Sequence, residues 1–325
     1  MMLGLATRWL SSNGGDARLT VLIFHRVHGQ LDPLFPGEPD RERFDQILGW
    51  LRRWYRVLPL ADAIRLLRDG ALPPGTAAIT FDDGYADNAT HALPILQRHG
   101  LTATFFITTD FLNGGRMWND SVVEAVRGCR HEALDLREYG LGQYALSDLV
   151  SRQQAIGELL KRIKYLEPTE RQHAVANVVQ ASDAHMPDDL MLTTEQLHAL
   201  RCAGMGIGAH TCTHPILARL GDATALHEIA EGRSRLEQLL QQRVGLFAYP
   251  NGKPDRDYKR VHVEQVRSLG FDAAVSTAPG AANRDTDTFQ LPRFTPWDRT
   301  AWRYGARLLR NLRTPIVEAS TATAS

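Results

Sequence analysis

Short apolar runs alternate along this chain with longer stretches of helical spacing. Residues 19–24 (Leu-Thr-Val-Leu-Ile-Phe) are an apolar run that ends at His25. The pattern returns at 77–81, 101–108, 204–207, 245–249 and 271–277, rich in β-branched and aromatic residues, and predicts buried strands. Between these runs apolar residues recur every three or four positions. Residues 41–55 carry Phe44, Ile47, Leu48, Trp50, Leu51 and Tyr55 in that spacing, and 60–68, 87–99, 222–241 and 261–269 read the same way. Gly100 and Gly270 stand just past two of these helices, where a left-handed residue is favoured. Thr193 with Gln196 three residues on predicts a capping box. Strands alternating with helices at this spacing predict βαβ units, hence an α/β fold: a distorted (β/α) barrel of mainly parallel strands.

The rhythm breaks over about 113–190, which reads as a helical, charged insertion with few strand signals. Helices are expected at 122–126, 147–165 and 169–180, forming a lid or flank. After the polar loop 279–287, residues 291–294 (Leu-Pro-Arg-Phe) read as the end of a late strand. In 302–312, Arg303, Arg307 and Arg310, with Arg313 just beyond, lie beside Trp302, Leu308, Leu309 and Leu312. Such a helix closes a barrel or lies peripherally on an anionic membrane surface. The expected organisation is an N-terminal segment over 1–18, one domain over 19–312 that contains the insertion, and a disordered tail over 313–325.

Composition narrows the function. Lys+Arg and Asp+Glu both number 37, and this balance excludes a nucleic-acid binder driven by bulk charge. Cys129, Cys202 and Cys212 form no spaced framework and suit a reducing compartment. Neither a basic leader with an apolar core nor an apolar run of about 18 residues is present, so the expected location is cytoplasmic, including the inner face of the membrane.

The candidate chemistry sits at strand ends. Thr80-Phe81-Asp82-Asp83-Gly84 puts two adjacent carboxylates at the mouth of an apolar strand, where burial alone would penalise them. His210 and His214, at i and i+4 after another strand, suit two imidazoles on one face of a helical turn. Two histidine nitrogens and one aspartate oxygen leave a coordination position open, the count of a catalytic zinc-type site.

Thr80-Phe81-Asp82-Asp83-Gly84 followed by His210-Thr211-x-x-His214 resembles the polysaccharide deacetylase family, carbohydrate esterase family 4. The resemblance implies Asp82 as general base, and Asp83, His210 and His214 as ligands of a divalent metal, zinc by default. Leu22-Ile23-Phe24-His25 matches a Leu-x-x-His pattern that such proteins usually carry late. Its early place resembles the circularly permuted deacetylases of poly-N-acetylglucosamine, and implies His25 as the acid for the leaving amine. Phe247-Ala248-Tyr249-Pro250-Asn251-Gly252 resembles a third motif with two departures. Ala248 stands where an arginine would orient the base. Asn251 stands where a tyrosine would give its backbone N–H to the oxyanion, a donor that survives a side-chain change. Arg293, at a strand end, is the candidate replacement for the arginine. Tyr249, Asn251 and Trp118 are candidates for contact with the saccharide; Trp118 either stacks on a sugar or packs the insertion onto the barrel.

The function these residues imply is metal-dependent removal of N-acetyl groups from a saccharide, an exopolysaccharide or its lipid-linked precursor. Two alternatives stand beside it: deformylation or other amide hydrolysis on a sugar or small molecule, and a non-catalytic, metal-containing saccharide-binding protein.

Overall fold

The computed structural model describes residues 17–320, so what the sequence suggests for 1–16 and 321–325 lies outside the described residues. In chain order the elements are β1 (Leu19–Phe24), α1 (Arg41–Trp54), β2 (Arg56–Val57), α2 (Leu60–Arg68), β3 (Thr76–Phe81), α3 (Leu93–His99) and β4 (Thr104–Ile107). The insertion then contributes α4 (Trp118–Gly128), β5 (Ala133–Leu136), β6 (Gly142–Ala145), α5 (Leu149–Ile163) and α6 (Pro168–Ser182). The barrel resumes with α7 (Thr194–Cys202), β7 (Gly206–Ala209), α8 (Asp222–Leu240), β8 (Leu246–Ala248), α9 (Arg260–Ser268), β9 (Ala273–Val275) and α10 (Ala301–Asn311).

The main sheet runs β1-β3-β4-β7-β8-β9 with β2 against the start of β3, and every ladder in it is parallel. Parallel strands are covered on both faces, which is why they read as continuous apolar runs. Alternation sorts the side chains. Leu22, Phe24, Ile79, Phe81, Phe105, Ile107 and Phe247 pack outward against the helices. Val21, Ala78, Phe106, Ala248 and Val275 face inward, where Leu60, Ile64 and Leu67 of α2 plug one end of the barrel.

The sheet curls, and the segment after β9 bridges it back to β1. Leu19 and Ala282 exchange backbone hydrogen bonds at 2.8 and 3.0 Å, and the Phe294 N–H donates to Val21 at 2.9 Å. The expected strand at 291–294 is not one: Leu291 makes an isolated parallel bridge to Val275, and Pro292 has no N–H to extend a ladder. At the start of the expected tail, Ala319 is buried and the Ser320 N–H is bonded to Asp255 at 2.9 Å. On α10, Tyr304 and Leu308 are buried, and Tyr304 packs on Trp50 of α1.

The insertion has its own small core, including Val122, Val126, Leu134, Leu136, Leu159 and Val178. The helical expectation missed an antiparallel hairpin there, β5 with β6. Each of its strands has four residues and buries only alternate side chains. That pattern is too short to stand out in a charged sequence.

Gly232 lets α8 lie directly on the turn after β7: a Cβ there would stand 2.7 Å from the Thr211 carbonyl carbon. Gly232→Ala is therefore expected to destabilise the protein by roughly 1–3 kcal/mol, as a lower midpoint in chemical denaturation. An unchanged midpoint would show that α8 can withdraw without cost.

Candidate active site

The two carboxylates reach one cavity because the chain leaves its extended course at Asp83, just past the end of β3. In β3, Ala78 and Thr80 face the barrel interior, and Asp82 continues that face. Asp83 would point away, but its φ of 77° is left-handed and turns it inward. The Gly84 N–H then donates to the Asp82 carbonyl at 3.0 Å, closing the turn.

The histidines sit differently from the helical-turn expectation. After β7 the chain makes a non-helical loop in which Thr211 and His214 have φ of 66° and 54°. The loop is tied on every side. The His210 N–H donates to Ile107 at 3.1 Å, and the Asp110 N–H to Cys212 at 3.0 Å. Glu228 of α8 accepts from the Cys212 and Thr213 N–H groups at 3.0 and 2.9 Å. Cys212 is buried against Glu228, away from the two imidazoles. Left-handed non-glycine residues store strain that only such anchoring sustains.

Asp83 Oδ1 lies 3.3 Å from His210 Nε2 and 3.4 Å from His214 Nε2. It is buried and accepts no hydrogen bond. Two ligand atoms about 2.1 Å from a tetrahedral ion stand about 3.4 Å apart, so the orphaned oxygen and the two nitrogens fit a metal. His210 Nδ1 meets the Ala248 carbonyl at 2.8 Å. A carbonyl only accepts, so Nδ1 carries the proton and Nε2 presents its lone pair. Burial pulls the His214 imidazole down to about 4, against the pull of Asp83. Burial lowers His210 as well, but Asp82 and Asp83 outweigh it and push the group up. Burial would raise Asp83; the nearby His214 and His210 imidazoles outweigh it and hold the carboxyl well below the usual carboxylate range.

Asp82 is met from the far side of the barrel. Arg293 Nη1 donates to its Oδ1 at 2.6 Å and Nη2 to its Oδ2 at 2.7 Å. Arg293 Nε donates to the Ser276 carbonyl at 2.9 Å, and Nη1 also reaches Thr80 Oγ1 at 3.2 Å. Burial pushes the Asp82 carboxyl up, but the Arg293 charge and hydrogen bonds, with His210 and His25 nearby, bring it below the ordinary value.

Asp82, Asp83, His210, His214, His25, Asn251 and Trp118 line one cavity of about 780 Å³. His25 is exposed into it, just beyond the end of β1. Asn251 has φ of 58°, and its carbonyl accepts from Thr277 Oγ1 at 2.7 Å. Trp118 is half-buried at the start of α4, with the Arg171 guanidinium 5.5 Å from its ring. Tyr249 must be corrected: its ring stacks on Tyr258 at 3.9 Å and its hydroxyl donates to Phe289 at 3.0 Å. It is fully buried among the outer helices, because alternation turns it away from the barrel interior that Ala248 faces.

The sequence did not single out two other lining residues. Tyr85, just past the Asp-Asp pair, donates to Asp120 of α4 at 3.0 Å. Burial, against the charge of Arg26, raises the Asp120 carboxyl to about 7. An aspartate inside a helical stretch carries no local sign of such burial.

Arg293→Met leaves the Asp82 charge buried without a counterion, and is expected to cost roughly 3–5 kcal/mol. In the parent, the depressed Asp82 value means that the pair adds stability above about pH 4 and loses it as pH falls through the lower folded value. Equilibrium denaturation across pH should show this acid-side fall in the parent and its loss in Arg293→Met. Matching profiles would refute the coupling.

A family model described as Polysaccharide deacetylase matches residues 69–274, more than half of the chain. Among curated proteins, YxkH of Bacillus subtilis (strain 168), provisionally named a polysaccharide deacetylase, is 22% identical over 279 residues, covering 85% of this chain and 71% of its own. Among solved structures, the chain is similar to Streptococcus pyogenes deacetylase PplD in complex with acetate, with a TM-score of 0.59 and 18% identity over 92% of this chain and 100% of that one. It is also similar to IcaB from Ammonifex degensii, with a TM-score of 0.58 and 20% identity over 89% of this chain and 97% of that one. At these identities the structural likeness carries the fold, a mainly parallel sheet curled into a (β/α) barrel of deacetylase type.

Proposed function

Because the chain belongs to the polysaccharide deacetylase family, we propose that it hydrolyses N-acetyl groups of a saccharide with the help of one divalent metal, with an exopolysaccharide or its lipid-linked precursor as substrate. The observation that carries this reading is the opening of Asp82, Asp83, His210, His214 and His25 onto one cavity. The ligand set is Asp83, His210 and His214, the one group of three such donors close enough to share an ion among the described residues. Its two nitrogens and one oxygen suit zinc. When bound, the ion supplies Lewis-acid polarisation of the acetyl carbonyl and a water of lowered pKa.

The residues of the chain do the rest. Asp82, kept ionised and oriented by the bidentate Arg293, takes the proton of the attacking water. The Asn251 backbone N–H donates to the oxyanion. His25 gives a proton to the nitrogen as the C–N bond breaks, and acetate and a free amine leave. The departure at Ala248 favours a binder without turnover. The Arg293–Asp82 pair supplies a base-orienting arginine from another segment and so weakens that alternative.

Elemental analysis should find about one equivalent of divalent metal in the parent and little in His214→Ala. No metal after reconstitution would end this reading. Acetate release from an N-acetylglucosamine oligomer should fall about 10²–10⁴-fold in His25→Ala, and kcat should fall in Arg293→Lys, which loses the two-pronged contact. Unchanged kcat in either variant would remove that residue from the mechanism.

A further inference from the structure

β1 ends at Phe24, whose carbonyl accepts from the Asp82 N–H at 2.9 Å in the last rung beside β3. The next three residues, His25-Arg26-Val27, have left the sheet. One turn grips them. Asp87 Oδ1 accepts from the Val27 N–H at 3.1 Å, and Asp87 Oδ2 accepts from Arg26 Nε at 2.8 Å. Asn88 Nδ2 donates to the His25 carbonyl at 2.8 Å and to Asp87 Oδ1 at 3.2 Å. His91 Nδ1 donates to the Val27 carbonyl at 2.8 Å.

Asp87 caps, and Asn88 and His91 lie within, the turn Asn88–Ala92, which is π-helical, a rare form found mostly at functional sites. It begins five residues after Asp83 and is continuous with α3. Asp87 and Asn88 are buried, while the His25 they border is exposed to the cavity. Arg26 is held a second time, 4.7 Å above the Tyr85 ring. Nothing in the hydrolysis described above uses Asp87 or Asn88.

We propose that Asp87 and Asn88 are positioning residues that fix the His25 backbone, and so hold the imidazole where the leaving nitrogen takes its proton. This rests on the reading of His25 as the general acid. The physical need is strict, since a general acid must come within hydrogen-bond reach of the departing atom, and a misplacement of about 1 Å can cost about 10²-fold in rate. As the C–N bond breaks, the nitrogen takes the imidazolium proton and departs as a neutral amine. The phenolate of an activated ester departs without a proton. A displaced acid therefore harms the amide reaction and spares the ester reaction.

The test compares the parent, Asp87→Ala, Asn88→Ala, His25→Ala and the double variant His25→Ala with Asp87→Ala, each with its metal content measured. The substrates are an N-acetylglucosamine oligomer and 4-nitrophenyl acetate. We expect kcat on the amide to fall about 10²-fold in Asp87→Ala and to fall in Asn88→Ala, with the ester rate and the metal content close to parental. The double variant should be no slower on the amide than His25→Ala alone, because residues acting through one group are not additive. Equal losses on both substrates would overturn the proposal, as would an additive double variant. If Asp87→Ala does not fold, Asn88→Ala decides the matter by the same comparison of amide and ester rates. A parent that binds metal and cleaves the ester but never the amide would instead refute the deacetylase reading, and with it the acid to be positioned.

Discussion

A carboxylate cannot be taken out of water alone. Asp82 is 2% exposed and Arg293 1% exposed, so each is tolerated only through the other. Their two parallel hydrogen bonds join the end of β3 to a segment more than 200 residues later, |i−j| = 211. That segment is also what closes the sheet. Arg293 is anchored by its own N–H to Ala278 and by its Nε to Ser276, and Phe294 and Thr295 bond to β1 beside it. Barrel closure and orientation of the candidate base are therefore one structural event. A displaced closing segment leaves a buried charge unpaired, and an unpaired charge removes the reason for the segment to stay.

Much of this is legible in the sequence, for identifiable reasons. Strands buried on both faces must be apolar throughout, so β1, β3 and β4 stand out as runs. The Thr193–Gln196 capping box is local and forms as expected. The chemical residues stand at the ends of those runs, where a motif can be recognised without knowing the fold. The failures share a different cause. Asp83, Thr211, His214 and Asn251 adopt left-handed φ without being glycine, so no residue type announces that the turns at the site are irregular. The histidine pair reads as helical for that reason. Nearness in sequence puts Tyr249 in the groove, although one position along a strand is the difference between cavity and core. Asp120 becomes notable only because the insertion folds onto Tyr85, a tertiary fact.

The anchoring of the site shows how the strained turns persist. The loop holding the histidines is bonded to β4, to the loop after it and to α8, and Thr211 Oγ1 braces the turn from within by accepting from the His214 N–H at 3.1 Å. His210 is oriented by the backbone carbonyl of Ala248 in β8, whose side chain faces the barrel interior.

The barrel and the insertion divide the work of the cavity. The candidate ligands, base and acid all stand at strand ends or on turns bonded to strands, so their spacing follows the sheet. The far wall, with Trp118, Asn119, Asp120, Lys161 and Lys164, belongs to elements that pack around the insertion's own core. The Tyr85–Asp120 contact, the Arg127–Asp32 ion pair and the Arg219 and Arg256 guanidiniums over the Tyr165 ring tie the insertion to the barrel. Changes of size or charge along α4 and α5 can reshape what the cavity admits while leaving β3 and β7 in register. Asp120 is the exception, because its carboxyl sits where burial and the Asp83 charge both favour the protonated form. The insertion is therefore free to vary in what it contacts, but at Asp120 it shares the electrostatics of the site.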